Sequence, residues 1–324
     1  MVAIHQVQSQ TRTTIGALAA AQHMTSEESD SNAVLDCLIV GGGPAGLTAA
    51  VYLARYHRSV AVYTEGKSRA ALIPKSHNYP GFPGGISGTE LLKLLVRQAK
   101  FYGLPVVQAR ITGLQRKGDV FQASYEGGTV KARTVLLATG LVDVAPKIND
   151  LQNAVENGLI RYCPVCDAFE ATDRRIAVVG AEAAISKAQF LRDYSKDVTL
   201  LWSGDGEPRT TKDLDKSGIK LVPRLASLEI CDQRVCAVTA NNRENFDILY
   251  PALGCKVESD LGASVGATIT DVGCLKVDEH QCTTVYGLYA AGDVVSDLHQ
   301  IAVATGHAAI AATHIHKVLA PNPR

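Results

Sequence analysis

Cys163 and Cys166 flank Pro164-Val165, and Asp167 follows at once. Two thiols at this spacing can close into a disulfide and reopen, a two-electron reaction. The adjacent carboxylate is placed to move a proton during thiol release. It could equally serve as a helix N-cap or turn residue, and one side chain can do both. Upstream, Gly41-Gly42-Gly43-Pro44-Ala45-Gly46 has the Gly-x-Gly-x-x-Gly spacing that cradles a dinucleotide. A Cys-x-x-Cys pair in the same chain as a flavin or nicotinamide site reads as redox chemistry. Zinc is a poorer reading: one Cys-x-x-Cys is half a site, and no second pair or His-x-x-x-His follows at the usual distance.

These residues work only if particular elements hold them. Leu35–Val40 is apolar except for Asp36 and predicts a buried parallel strand. Pro44–Tyr56 predicts a helix of small residues, and Ser59–Tyr63 the next strand, together one βαβ unit. In it Gly41 makes the tight turn, Gly43 lets backbone approach a pyrophosphate, and Gly46 lets helix and strand pack closely. The helix end at Pro44 and Ala45 faces the phosphates. An acidic residue after the second strand should hold the ribose hydroxyls. Glu65 is the candidate, with Thr64 as the alternative one register away.

Gly88–Tyr102 predicts a helix stopped by Gly103. Ile111–Tyr125 and Thr129–Ala138 predict hairpin-like strands around Gly127-Gly128. The second ends in Ala138-Thr139-Gly140, either a second approach of backbone to the dinucleotide or a plain turn. A second βαβ pattern follows: strand Ile176–Val179, helix Ala183–Tyr194, strand Val198–Trp202. The chain then returns to the first pattern with strand Gly287–Ala290, the turn Ala291-Gly292-Asp293, and an Ala-rich helix over Gln300–Leu319. A second domain is therefore expected inside the first.

Bulk composition narrows the class. The 324 residues are enough for two ordinary domains. Lys plus Arg and Asp plus Glu number 32 each, so nothing recommends nucleic acid. No apolar run reaches about 18 residues, so no membrane-spanning helix is expected, and a cytoplasmic location is. Eight cysteines are too few for a disulfide scaffold. Cys231 and Cys236 could pair across a hairpin, but that spacing is unspecific. Residues 1–24 hold no acid and one Arg, with a short apolar stretch Ile15–Ala21. Residues 1–30 are expected to be a disordered upstream extension, or to precede an alternative start at Met24, rather than to form a targeting peptide.

In order, Gly41–Gly46, Asn78-Tyr79-Pro80-Gly81-Phe82, Ala138-Thr139-Gly140, Cys163–Asp167, and Gly292-Asp293 followed by His299-Gln300 resemble the low-molecular-weight thioredoxin reductases. The resemblance covers about residues 34–319. It implies an α/β fold with two Rossmann-like, three-layer ββα dinucleotide-binding domains, the second inserted into the first. The FAD domain would be residues 31–144 plus 251–324, and a smaller pyridine-nucleotide-type domain, 145–250, would carry the Cys pair. FAD would lie at the first fingerprint, with Asn78, Thr139, Gly140 and Gly292 around it. Asp293 would hydrogen-bond its ribityl or pyrophosphate region. Gln300 and Ile301 would open the last helix, whose positive end faces the flavin pyrimidine. The family usually has Arg before that Gln; here it is His299. By analogy Cys166 faces the flavin and Cys163 meets the partner disulfide. A homodimer is also implied.

The departures concern the inserted domain. Where the family binds NADPH through Gly-x-Gly-x-x-Ala, this chain reads Gly180-Ala181-Glu182-Ala183-Ala184-Ile185. Glu182 puts a Cβ and a negative charge where a pyrophosphate would sit, and Ile185 replaces a small packing residue. Strand Val198–Leu201 ends in Trp202-Ser203-Gly204-Asp205-Gly206-Glu207, with no Arg pair for a 2′-phosphate. NADPH is therefore not expected as a tight donor, and ferredoxin becomes one alternative. Trp202 is either a packing residue or a stacking platform for another aromatic group. The loss of NADPH motifs is similar to the cyanobacterial diflavin-linked disulfide oxidoreductases, which implies a second FAD in the vacated site.

The leading expectation is an FAD-dependent dithiol–disulfide oxidoreductase acting on a protein or small-molecule disulfide. A dithiol oxidase passing electrons to oxygen is the competing enzyme reading; Pro164 fits it, but Asp167 stands where those enzymes tend to have His. A flavin-bound redox sensor or binding module is the non-enzymatic alternative, and a near-ordinary NADPH-thioredoxin reductase is the fourth reading.

Overall fold

A computed structural model describes residues 33–206, 208, 211–295 and 298–323. The expected extension over residues 1–30 lies outside the described residues. β1 (Val34–Val40) leads into α1 (Pro44–Arg55), and β2 (Val60–Thr64) lies parallel to β1, Val40 opposite Tyr63. Cys37, Leu38 and Ile39 are fully buried, so this strand alone removes several apolar side chains from water at about 1.5–3 kcal/mol each. The chain continues through α2 (Gly88–Phe101), β3 (Val106–Gln108), β4 (Ile111–Lys117), β5 (Val120–Tyr125) and β6 (Gly128–Leu137). One sheet results, in the order β3-β2-β1-β6-β5-β4. The expected single strand Ile111–Tyr125 is thus two strands. Gly118, at φ +62°, turns the chain between them, and β4 pairs antiparallel with β5.

β7 (Leu141–Asp143) leaves this sheet and is followed by the short helices α3 (Leu151–Glu156) and α4 (Pro164–Asp167). A second, parallel unit comprises β8 (Ile176–Gly180), α5 (Glu182–Leu191) and β9 (Val198–Trp202). Then come α6 (Thr211–Lys216), β10 (Lys220–Val222), the antiparallel ribbon β11 (Ser227–Cys231), β12 (Arg234–Val238) and β13 (Arg243–Phe246), and β14 (Ile248–Ala252). The second sheet runs β10-β9-β8-β14, all parallel. β14 stays in it through Ala252, opposite Gly180, so the boundary expected at 250/251 falls inside a strand. The hairpin around Cys231 and Cys236 forms, but both thiols are free and accept hydrogen bonds from Arg243.

β15 (Cys255–Val257) pairs antiparallel with β7, so outgoing and returning chain meet in one short ribbon. After α7 (Asp260–Ser264), β16 (Leu288–Ala290) rejoins the first sheet beside β6. α8 (Ile301–Val318) then packs along α1. Ala304, Ala308, Ala311 and Ala312 share a core with Leu47, Ala50 and Leu53, and small side chains let the two helices lie close. Every strand of the second sheet lies in sequence between β7 and β15.

Candidate active site

A cavity of about 540 Å³ opens at the carboxyl ends of β1, β2 and β6. Two helix N-termini face it. Gly43, Pro44 and Ala45 of α1 line one wall, Gln300, Ile301 and Ala304 of α8 another. Neither helix has a side-chain cap or an acidic residue in its first turn. Uncapped N–H groups and the positive dipole end make each a place for negative charge. The glycines clear the space. Gly41 has φ +114°, and a Cβ there would lie 2.1 Å from the Ala138 carbonyl oxygen. A Cβ on Gly46 would lie 1.9 Å from the Gly41 oxygen, so Gly46 works behind the wall, not on it. The residues present fit a flavin dinucleotide: an uncapped helix end for the pyrophosphate, and another for a ring that gains negative charge on reduction.

Glu65 and Thr64 both line the cavity. The Glu65 carboxylate pairs with Arg110 at 2.8 Å, whereas the Thr64 hydroxyl accepts the Gly66 N–H at 3.1 Å. Thr139 turns its hydroxyl to the Glu258 carbonyl at 2.6 Å, while Gly140 lines the cavity and its carbonyl accepts from Glu258. Gly292 and Asp293 stand opposite. Asp293 is not alone: Arg69 reaches it at 3.2 Å and grips Asp143 through Nε at 2.6 Å and Nη2 at 3.1 Å. Burial works to lower the Arg69 pKa, but the two carboxylates outweigh it and hold it above its usual value.

Cys163 and Cys166 are joined in a disulfide, Cα atoms 5.3 Å apart, and both line the same cavity. Pro164, its φ pre-set for a first helical turn, starts α4 after Cys163. Gln300 donates from Nε2 to both sulfurs, at 3.3 Å each. Its Oε1 accepts from Asn78 at 2.9 Å; Asn78 also donates to the Val165 carbonyl and accepts from Ser76. Asn78 thus holds Gln300 from behind without lining the cavity. His299 lines it.

Asp167 closes the one-turn helix. The N-cap is Cys163, so the capping alternative for Asp167 does not hold. Its carboxyl lines the cavity and accepts the Tyr250 hydroxyl at 2.7 Å, and its carbonyl accepts from Arg161 at 3.1 Å. Burial pushes the Asp167 carboxyl up to about 6; Tyr250, Arg161 and Lys187 pull it back, and Glu170 adds to the rise. Lys187 donates to the Tyr162 and Pro251 carbonyls, and burial lowers its pKa.

Trp202 does not line this cavity, and of its two readings its surroundings match the packing residue rather than an exposed stacking platform. It is 4% exposed, packed with Ile176, Val178, Leu200 and Leu214, and its indole N–H donates to the Gly206 carbonyl at 2.9 Å. A Cβ on Gly204 would lie 2.6 Å from the ring, so the loop folds over the indole. Glu182 is exposed in the first turn of α5. Sequence reasoning missed Arg69, Asp143 and Tyr250. Arg69 belongs to none of the motifs used. Tyr250 left a faint mark, a hydroxyl in the otherwise apolar Ile248–Ala252.

Residues 35–308 match the pyridine nucleotide-disulphide oxidoreductase family. A thioredoxin reductase of Aquifex aeolicus is 30% identical over 303 residues, 88% of this chain and 94% of that protein. One from Peptoclostridium acidaminophilum is 27% identical over 313 residues, 89% of this chain and 98% of its own. The crystal structure of thioredoxin reductase from Streptococcus pyogenes superposes with a TM-score of 0.81 at 26% identity, covering 88% of this chain and 98% of that one. A disulfide in a cavity built by two uncapped helix ends, and a match over most of the length, lead to one conclusion: the chain belongs to the pyridine nucleotide-disulphide oxidoreductase family, as a thioredoxin reductase-like flavin disulfide oxidoreductase.

Proposed function

We propose that Cys163 and Cys166 carry the dithiol–disulfide exchange of this flavoenzyme, and that its electrons come from a donor other than NADPH. The observation that carries the first half is the single Gln300 amide 3.3 Å from both sulfurs, at the very helix end that faces the cavity. FAD bound in the cavity supplies two-electron transfer to or from the disulfide. The FAD-binding part is assigned to residues 31–144 plus 251–324, and the Cys-bearing part to 145–250. Gly43 and the α1 N-terminus would hold the pyrophosphate, Glu65 the ribose, and Asp293 the ribityl region.

The chain's own chemistry then follows. Two electrons and one proton convert Cys163–Cys166 into a thiolate and a thiol. Asp167 carries the proton to the departing sulfur. Cys163, assigned to the partner side, attacks a partner disulfide; Cys166 then attacks the mixed disulfide and releases the partner as a dithiol. The partner is a protein or small-molecule disulfide, and the working assembly a homodimer.

The donor argument rests on Glu182. It stands at the first position of α5, the end at which a second pyrophosphate would need N–H groups and no negative charge. A ferredoxin-type one-electron donor is the leading substitute. One FAD per chain is proposed rather than two, because Trp202 is buried. An NADPH-driven thioredoxin reductase is the second reading. It is favoured by the relatives, and by Gly180, where a Cβ would lie 2.5 Å from the Ala252 carbonyl, so the close turn that begins a nucleotide site persists. Anaerobic titration with NADPH, then NADH, followed at the oxidised-flavin absorbance, separates the two. Flavin that bleaches with dithiothreitol but with neither nucleotide supports the first reading; prompt bleaching by NADPH establishes the second.

A further inference from the structure

We infer that Tyr250 is a positioning residue for the thiol chemistry: its phenol holds the Asp167 carboxyl in place and favours its ionised form. The inference rests on the reading that Asp167 moves protons for the Cys163–Cys166 pair.

Tyr250 lies in β14 opposite Val178 of β8 and is fully buried. Its ring packs with Ile176, Val178, Ala184 and Leu191, an environment that a phenylalanine would fill equally well. The hydroxyl is the added group, and a buried hydroxyl needs a partner. It donates to Asp167 Oδ1 at 2.7 Å and lies 3.4 Å from the Asp167 carbonyl oxygen. Asp167 is the last residue of the turn that carries both cysteines, so a strand of the second sheet is tied directly to the redox motif.

The charged groups facing Asp167 come from three directions. Arg161, just upstream, donates to the Asp167 carbonyl. Lys187, from α5, is held beside it by the Tyr162 and Pro251 carbonyls. Glu170 follows on the Cys-bearing segment. Arg161 and Lys187 favour the carboxylate; Glu170 and burial oppose it. Tyr250 is the group in direct hydrogen bond with the carboxyl oxygen, and a donor to that oxygen strengthens as negative charge develops. Its removal raises the Asp167 pKa and frees the carboxyl to rotate. When the disulfide takes up two electrons, the S–S bond breaks, one sulfur remains a thiolate, and the departing sulfur accepts the proton that Asp167 gives up and regains from solvent.

The test uses the full FAD-loaded chain. The two-electron-reduced protein is mixed with a small aromatic disulfide, and single-turnover rates are taken from pH 5 to 9. Iodoacetamide alkylation of the reduced thiols is followed over the same range. In Y250F the limb belonging to Asp167 moves up by about one pH unit in both measurements, the size expected for loss of a hydrogen bond to a charged group. Fluorotyrosine at position 250, a stronger donor, moves it down without deleting the hydroxyl. D167N removes the limb. A limb that stays put in both position-250 proteins, with rates lowered uniformly, makes Tyr250 a packing residue and overturns the inference. A limb that survives in D167N overturns the Asp167 reading, and this inference with it.

Discussion

At the scale of single residues, the cavity joins groups that titrate with groups that hold them. Cys166→Ser leaves Gln300, the glycines and both helix ends in place, so it abolishes turnover with any disulfide while FAD stays bound; extracted flavin and a disulfide-reduction assay check both halves. Asp167 yields a stability prediction with a definite sign. Its folded pKa, about 6, lies above the unfolded value near 4. Its ionised form therefore costs stability above pH 6, a cost that vanishes as the group protonates below about pH 4. Asp167→Asn, which can still accept from Tyr250, should stabilise the fold at pH 8 by on the order of 2–3 kcal/mol, and by much less at pH 4.5, while destroying activity. Thermal unfolding at the two pH values decides it; an equal shift at both would be wrong for this mechanism. The cysteines and Asp167 were legible because their chemistry lies in adjacent residues. Arg69 was not: its meaning comes from Asp143 and Asp293, which are 74 and 224 positions away.

At the scale of elements, the glycine turn shows how steric demand writes itself into sequence. Gly46→Val would drive its side chain into the Gly41 carbonyl, where even a Cβ has only 1.9 Å. The α1 terminus would have to shift, and the variant should lose FAD and melt well below the parent; flavin retained at full stoichiometry would contradict the proposed cradle. The Arg69 clamp joins the turn after β2 to β7 and to the loop after β16. Arg69→Met leaves two largely buried carboxylates, with side chains 14% and 19% exposed, without their cation. It should destabilise by about 3 kcal/mol, the cost of removing one partner from a largely buried ion pair. Paired unfolding curves test it. β1, α1, β8 and β9 were readable from hydrophobic runs and glycine punctuation. The break at Gly118 was not anticipated, although Gln115-Arg116-Lys117-Gly118-Asp119 is a polar run of the kind that marks a turn. The one-turn α4 is too short to leave a period.

At the scale of the whole molecule, the choice of electron source turns on the α5 terminus of the second sheet's helix. Replacing Glu182 with Gly removes a negative charge and a Cβ from the α5 terminus, and should speed NADPH reduction of the flavin by at least about tenfold if that residue is the block, as expected for about 1.4 kcal/mol or more of repulsion relieved. No change in stopped-flow bleaching would place the obstacle elsewhere. Acid-extracted flavin should come to one FAD per chain, since the indole that would have stacked a second ring is in the core.

From the sequence by itself followed the chemistry and the class of scaffold: a thiol pair, a glycine cradle and two βαβ patterns. These are local signals, set by neighbours within a few residues, and so survive in one dimension. Tertiary structure alone decided which groups meet: Gln300 on both sulfurs, Tyr250 on Asp167, Arg69 between two acids, and Trp202 turned inward. Each joins residues from different segments, and only folding sets the burial and hydrogen-bond geometry that give such pairs their effect.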